Sequence, residues 1–281
     1  MADVTQVEPI KPPRRCGEVR DKQGVLIGRY IYLAAGDEDL LAQFCDSWLK
    51  TYENDNRFFL TFDLETTGLD PLNGDILLCS VCWDGKNSIV FRPQGMDLTR
   101  WLEVLRTIPV ANQNIKFDLK WVYHHWKVYS YVHFDTMVAS QMAWAGCMEG
   151  KKFDLKNLAD QILRGLKLDK TIRENFISRN ANTQFTDDEI AYSASDAIIT
   201  HLMIPLIKLR LANMQLMDLW EEVERPLIEI LARSEYRGVL IDEEKVREMY
   251  ETRTRELVRM SDALQNTFLE IPDDKIGRAH V

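Results

Sequence analysis

Phe58-Phe59-Leu60-Thr61-Phe62-Asp63-Leu64-Glu65-Thr66-Thr67-Gly68-Leu69-Asp70-Pro71 is an apolar run that ends in two carboxylates and breaks at Gly68. Aromatic and β-branched residues in succession fit a strand buried on both faces of a sheet. Because side chains alternate along a strand, Asp63 and Glu65 leave the sheet on the same side. Two like charges held that close repel, and burial raises the cost unless a cation lies between them. A divalent metal is the natural candidate. Asp-x-Glu turns up by chance about once in a chain of this length, so the pair needs partners elsewhere.

The chain has 281 residues, 46% of them hydrophobic, with seven Trp; this suffices for one large domain, or for one domain plus part of another. A net charge of −9 argues against a generally basic nucleic-acid coat. An enzyme that takes phosphates through metals needs only a local basic surface. Between Lys151 and Asn180, eight Lys or Arg stand against four Asp or Glu, which fits a phosphate-facing patch and an ordinary solvated helix surface equally well. No stretch has the ~18 uninterrupted apolar residues of a membrane span, and the region after Met1 has no apolar signal core, so a cytoplasmic protein is expected. Cys16, Cys45, Cys79, Cys82 and Cys147 are odd in number and scattered, as reduced thiols are. Cys79 and Cys82 lie three apart on an apparent strand and face opposite sides, so they do not form a zinc half-site.

Residues 1–24, with three Pro and no apolar period, are expected to be a mobile tail, followed by a strand–helix extension over 25–55. Asp37 is placed to cap a helix through Leu40, Leu41, Phe44, Trp48 and Leu49. Strands at 76–83 and 88–91 follow the opening stretch across turns at Asn73-Gly74 and Asp84-Gly85, which predicts a meander within a mixed sheet. Asp97 precedes a helix, Pro109-Val110-Ala111 is a short strand, and Gln113–Lys120 begins another helix. His133-Phe134-Asp135-Thr136 fits a strand end, with Asp135 as the cap of a helix over 137–145. Thr186-Asp187-Asp188-Glu189 is a capping box. In the helix it opens, Tyr192 and Asp196 share a face opposite the apolar stripe Ile190, Ala194, Ala197 and Ile198, and are expected to point outward. A helical stretch over 215–236, a strand Val239-Leu240-Ile241 and a helix capped by Asp242 and running to about Leu269 complete the chain.

Three acidic motifs therefore stand in order: Asp63-x-Glu65 at a strand end, Asn114-x-x-x-Asp118 where a helix begins, and Tyr192-x-x-x-Asp196 inside a capped helix. Together they resemble the exonuclease motifs of the DEDD superfamily, in the variant with Tyr in the third motif. The flanking residues resemble the proofreading domain of bacterial and phage family A DNA polymerases over 56–213. Glu224-Arg225-Pro226-Leu227 and Gly238-Val239-Leu240-Ile241-Asp242 resemble the opening of the polymerase domain, its thumb, over 214–274. Palm carboxylates and a fingers helix have no counterpart here, so no polymerase activity is expected of these residues, and the missing polymerase domain is an expected partner in the full-length protein. Lys275–Val281 resembles a translated sequencing adapter and is set aside.

The resemblance implies an α/β fold of the ribonuclease H-like type, a mixed sheet flanked by helices, followed by a helical partial thumb. It implies 3′→5′ hydrolysis of a single DNA strand from its 3′ end, to nucleoside 5′-monophosphates, with two divalent ions, Mg²⁺ or Mn²⁺, roughly 3.5–4 Å apart. Hard cations take oxygen ligands, so a carboxylate set without His or Cys is appropriate. By the same resemblance Asp63 bridges the ions, Glu65 and Asp196 complete the water-activating site, and Asp118 holds the second ion largely through water. Tyr192 orients the attacking water; an ordinary tyrosine pKa near ~10 makes it a poor base at neutral pH. By the resemblance Thr66 and Leu69 are placed to touch the 3′-terminal nucleotide, and Asn114 lies near the substrate strand or braces the second motif. His124, His125, His133 and His201 are assigned structural or surface roles, since the superfamily's third-motif His would stand where Tyr192 is. Two alternatives stay open: a ribonuclease D-like or Werner-type exonuclease on RNA or structured DNA, and a catalytically silent nucleic-acid-binding module.

Overall fold

Alternation along β3 (Leu60–Thr66) sorts the strand's two faces. Leu60, Phe62 and Leu64 enter the larger core, beside Trp48 of α1 (Glu38–Asn54), Trp101 of α2 (Thr99–Thr107) and Ile115 of α3 (Ile115–Trp126). The odd residues turn to the other face, where Thr61 Oγ1 lies 3.2 Å from His201 Nδ1 of α6 (Asp187–Asn213). The computed structural model describes residues 15–145, 153–163, 166–167, 171–177, 179 and 184–267.

Among these residues, seven strands form one mixed sheet in the order β1-β2-β5-β4-β3-β6-β7, where β1 is Arg15–Arg20, β2 Leu26–Leu33, β4 Ile76–Cys82, β5 Asn87–Phe91, β6 Val110–Asn112 and β7 Val132–Asp135. β3, β4 and β5 form the expected antiparallel meander, while β6 and β7 continue the sheet in parallel. α4 (Thr136–Ala143) and α5 (Leu155–Ile162) lie against α6. Helix α6 crosses the sheet and touches every strand from β1 to β6. Its approach is close: a Cβ on Gly28 of β2 would stand 2.4 Å from the Lys86 carbonyl and 2.9 Å from Ile198 Cδ1.

Four expectations change. Residues 15–20 of the supposed tail are β1, an edge strand paired antiparallel with β2; Met1–Arg14 lie outside the described residues. Helix α6 has no outward face over its first half, since nearly all of Glu189–Thr200 is buried. Its early apolar stripe packs with Val19, Tyr30, Leu78 and Val90, whereas Ile199, Met203, Ile204 and Ile207 belong to the larger core. A helix apolar nearly all round is a buried helix.

The third change concerns residues 215–236, where α7 (Met217–Leu219) passes through a π-helical turn at Trp220–Glu224 into α8 (Arg225–Arg237). Helix α8 covers the free edge of the sheet. Glu229 Oε1 accepts the Val132 N–H at 2.9 Å and Arg225 Nη1 donates to the Val132 carbonyl at 3.5 Å, which occupies the groups an edge strand leaves open. Glu235 accepts from Lys116 and Lys120 of α3 at 2.5 and 2.9 Å. The first compact unit accordingly runs to Tyr236 and the second begins at Arg237. Fourth, Val239-Leu240-Ile241 pairs with no strand among the described residues and is not a strand itself. In the second unit Asp242 Oδ1 accepts the Lys245 N–H at 3.0 Å and caps α9 (Glu243–Thr267). The residues beyond Thr267, with the adapter-like stretch, lie outside those described.

Candidate active site

Where β3 ends, α6 lies across the face that carries Asp63 and Glu65, and brings Asp196 to them. One carboxylate oxygen from each of the three acids lies within 4.8 Å of the others. Glu65 and Asp196 are buried and Asp63 half-buried. The ladder with β4 slips between Glu65 and Thr66, so pairing becomes irregular just after the second acid. Helix α6 is held in place by the realised capping box: Thr186 Oγ1 accepts the Glu189 N–H at 3.2 Å, and Glu189 Oε2 accepts the Thr186 N–H at 2.8 Å. Glu189 also pairs with Arg179, which lies 4.8 Å from the Phe185 ring centre.

Asp118 reaches the same strand by another route. β6 pairs with β3 only at Leu60 and Thr61, so beyond Thr61 that side of β3 needs another partner. The Leu64 N–H is taken by Asp118 Oδ1 at 3.2 Å. Burial, and after it the charge of Asp63, pushes the Asp118 carboxyl well above the ordinary carboxylate range, against the pull of that N–H. The start of α3 is fixed by Asp135, which caps α4 through the Met137 and Val138 N–H groups and also accepts those of Asn114 at 3.2 Å and Ile115 at 2.9 Å. Asp135 thus does more than the single cap expected of it. Burial pushes it up to about 6, opposed by those four backbone donors.

Tyr192 is buried one turn before Asp196, its ring 6.0 Å from Phe176. Asn114 is half-buried in the left-handed region at φ 61° and ψ 47°, as the N-cap residue of α3. Thr66 Oγ1 donates to the Gly68 carbonyl at 2.8 Å. Leu69 is 78% exposed, at the rim of the loop after β3.

Away from these acids, the histidines occupy packed sites. His133 and His201 both stack on the Phe59 ring, at 4.1 and 5.0 Å, and Lys208 Nζ donates to His133 Nε2 at 2.8 Å. Burial lowers His133 to about 3 and His201 to about 4. His125 stacks on Trp121, and His124 Nδ1 lies 3.0 Å from the Tyr236 hydroxyl. Cys45, Cys79 and Cys82 are buried free thiols, and Cys147 lies outside the described residues. The basic segment 151–180 is described only in part; within it Lys167 pairs with Asp160 at 2.6 Å and Arg179 with Glu189.

The sequence pattern of the 3′-5′ exonuclease family matches residues 34–212. The chain belongs to that family. It is 30% identical over 207 residues to a DNA polymerase I of Chloroflexus aurantiacus, an alignment that covers 67% of this chain and 21% of that protein. The chain thus spans about a fifth of the length of that relative. The fold is similar to Escherichia coli RNase D, described as an exoribonuclease involved in structured RNA processing, with TM-score 0.57 at 16% identity over 72% of this chain and 51% of that one. It is also similar to Brucella melitensis NrnC with bound Mg²⁺, with TM-score 0.53 at 18% identity over 64% of this chain and 85% of that one. These structures share the ribonuclease H-like exonuclease fold, and this 3′-5′ exonuclease domain carries an acidic cluster of the kind that family uses to hold divalent metal. The oxygen-only donors Asp63, Glu65 and Asp196 fit a hard divalent cation, with no soft ligand among them.

Proposed function

We propose that this exonuclease domain shortens single-stranded DNA from its 3′ end, releasing nucleoside 5′-monophosphates as the editing activity of a DNA polymerase. The observation that carries this reading is the meeting of Asp63, Glu65 and Asp196 within 4.8 Å, with Asp118 bonded to the strand between the first two. Those four carboxylates would hold two divalent ions, Mg²⁺ or Mn²⁺. Bound there, the ions would supply an activated water and stabilise the leaving oxygen. The protein's own part is to hold the acids at a fixed spacing through β3, α3 and α6. Tyr192 contributes a hydroxyl that orients the attacking water. Thr66 and Leu69 meet the terminal nucleotide, and Asn114 lies near the substrate strand. The similarity to a DNA polymerase I supports the reading of DNA as substrate and of a polymerase domain as partner.

A second reading, an RNA exonuclease, is favoured by the shared fold with RNase D. Single-stranded DNA and RNA of one sequence, each labelled at the 5′ end, separate the two. The expected result is shortening of DNA at least about tenfold faster. Faster shortening of RNA would replace the DNA reading, and binding of both without turnover in Mg²⁺ or Mn²⁺ would leave a silent binding module.

A further inference from the structure

The loop Thr67–Asp75 that follows β3 is closed on itself. The Thr67 N–H donates to the Asp75 carbonyl at 3.0 Å, and the Asp75 N–H donates to Thr67 Oγ1 at 2.9 Å. Inside that closure Asp70 Oδ1 accepts the Leu72 N–H at 3.0 Å, and Asp70 Oδ2 accepts from Asn73 Nδ2 at 2.6 Å. Two apolar side chains project from the loop, Leu69 at 78% and Leu72 at 60% exposure. Water-exposed leucines on a hydrogen-bonded rim next to an acidic cluster are suited to contact a nucleobase.

Gly74 seats the loop on α3. A Cβ there would lie 2.7 Å from Trp121 Cη2, 2.9 Å from Thr67 Oγ1 and 3.3 Å from the Asp70 carbonyl, and the first two distances are shorter than real Cβ contacts allow. Trp121 cannot give way easily: it is fully buried, stacked on His125 at 5.5 Å and tilted on Phe117 at 6.0 Å. The helix that seats the loop is also the one whose Asp118 bonds to β3. Loop and acids therefore take their relative position from one rigid element.

We propose that Gly74 is a positioning residue: by letting the loop lie flat on Trp121, it sets where Leu69 and Leu72 meet the terminal nucleotide of the substrate. This rests on the proposed nuclease function. Gly74 touches no reacting atom, so its replacement weakens substrate placement and leaves the carboxylate cluster as it is.

The test is steady-state cleavage of a 5′-labelled single strand in Mg²⁺, with binding of the same strand followed by fluorescence anisotropy in Ca²⁺. Gly74→Ala is expected to raise KM and the anisotropy Kd about tenfold, with kcat within about twofold. Trp121→Phe removes the ring atom that the new methyl meets, so Gly74→Ala with Trp121→Phe should return most of the lost affinity. Leu72→Ser, a change on the exposed surface, should raise Kd by itself and add little to Gly74→Ala in the double variant. A fall in kcat at unchanged KM, no recovery with Trp121→Phe, or multiplied effects of the Leu72 and Gly74 variants would each overturn the proposal. Should Gly74→Ala not fold, Leu72→Ser decides, and an unchanged Kd there is the contrary result. A wild-type protein that binds but never cleaves removes the nuclease reading, while the anisotropy comparison still tests the seat.

Discussion

Strand β3 and helix α6 meet at two ends that treat ionisable groups in opposite ways. At the Glu65 end, three carboxylates converge within 4.8 Å, a costly arrangement for a protein with no cation to put there. At the Phe59 end, two histidines are stacked on an aromatic ring and lowered to about 3 and about 4, so they stay neutral at ordinary pH. One end gathers charge of one sign; the other suppresses charge. The difference separates chemistry from packing, for the two histidines are taken up by the Phe59 ring, His133 also by Lys208 and His201 by Thr61.

The sharpest way to break the comparison is to exchange a residue at each end. Asp196→Ala should lower the rate of strand shortening about 10³-fold or more. Its melting temperature should stay level or rise, since one repelling carboxylate is gone. Phe59→Ala should do the reverse, costing about 2–4 kcal/mol of stability by chemical denaturation while folded protein keeps its rate. A Phe59 variant with normal stability and lost activity would erase the distinction.

A smaller effect sharpens it. His201 titrates near 4 in the fold and near ~6.5 when unfolded. Between these values the unfolded chain binds a proton that the folded one refuses, so the contribution is whole above about pH 6.5 and lost as pH falls towards 4. Asp135, raised to about 6, has the opposite sign: its contribution is present in acid and lost as pH rises through 6. Comparing wild type with His201→Gln isolates the first term. The variant should lose on the order of 2–3 kcal/mol less on acidification from pH 7 to 4, and an identical pH profile would contradict the half-buried neutral histidine. Smallest of all, Thr186→Ala removes the cap of α6 and should cost about 1 kcal/mol in denaturant unfolding.

Much of this site was legible in the sequence because its signals are local. Asp63 and Glu65 needed only the alternation of a strand, and the capping box needed only Thr186 and Glu189 three residues apart. The remainder depends on contacts no local pattern encodes. Asp118 bonds to a backbone group 54 residues away, and Asp135 to Asn114 across 21. β1 carries no apolar period because only one of its six residues, Val19, is buried. The outward face expected for Tyr192 and Asp196 followed from one apolar stripe, whereas α6 is packed from both sides. Helix α8 has the composition of a separate element, and only the positions of Glu229 and Arg225 against Val132 join it to the sheet edge.

The most direct test of the whole account is a single strand of DNA labelled at its 5′ end, incubated with the protein in Mg²⁺ and resolved by length. Wild type should produce a ladder of progressively shorter labelled fragments, abolished by a chelator and by Asp63→Ala. Undiminished shortening by the Asp63→Ala protein, or release of the 5′ label as the first product, would contradict it.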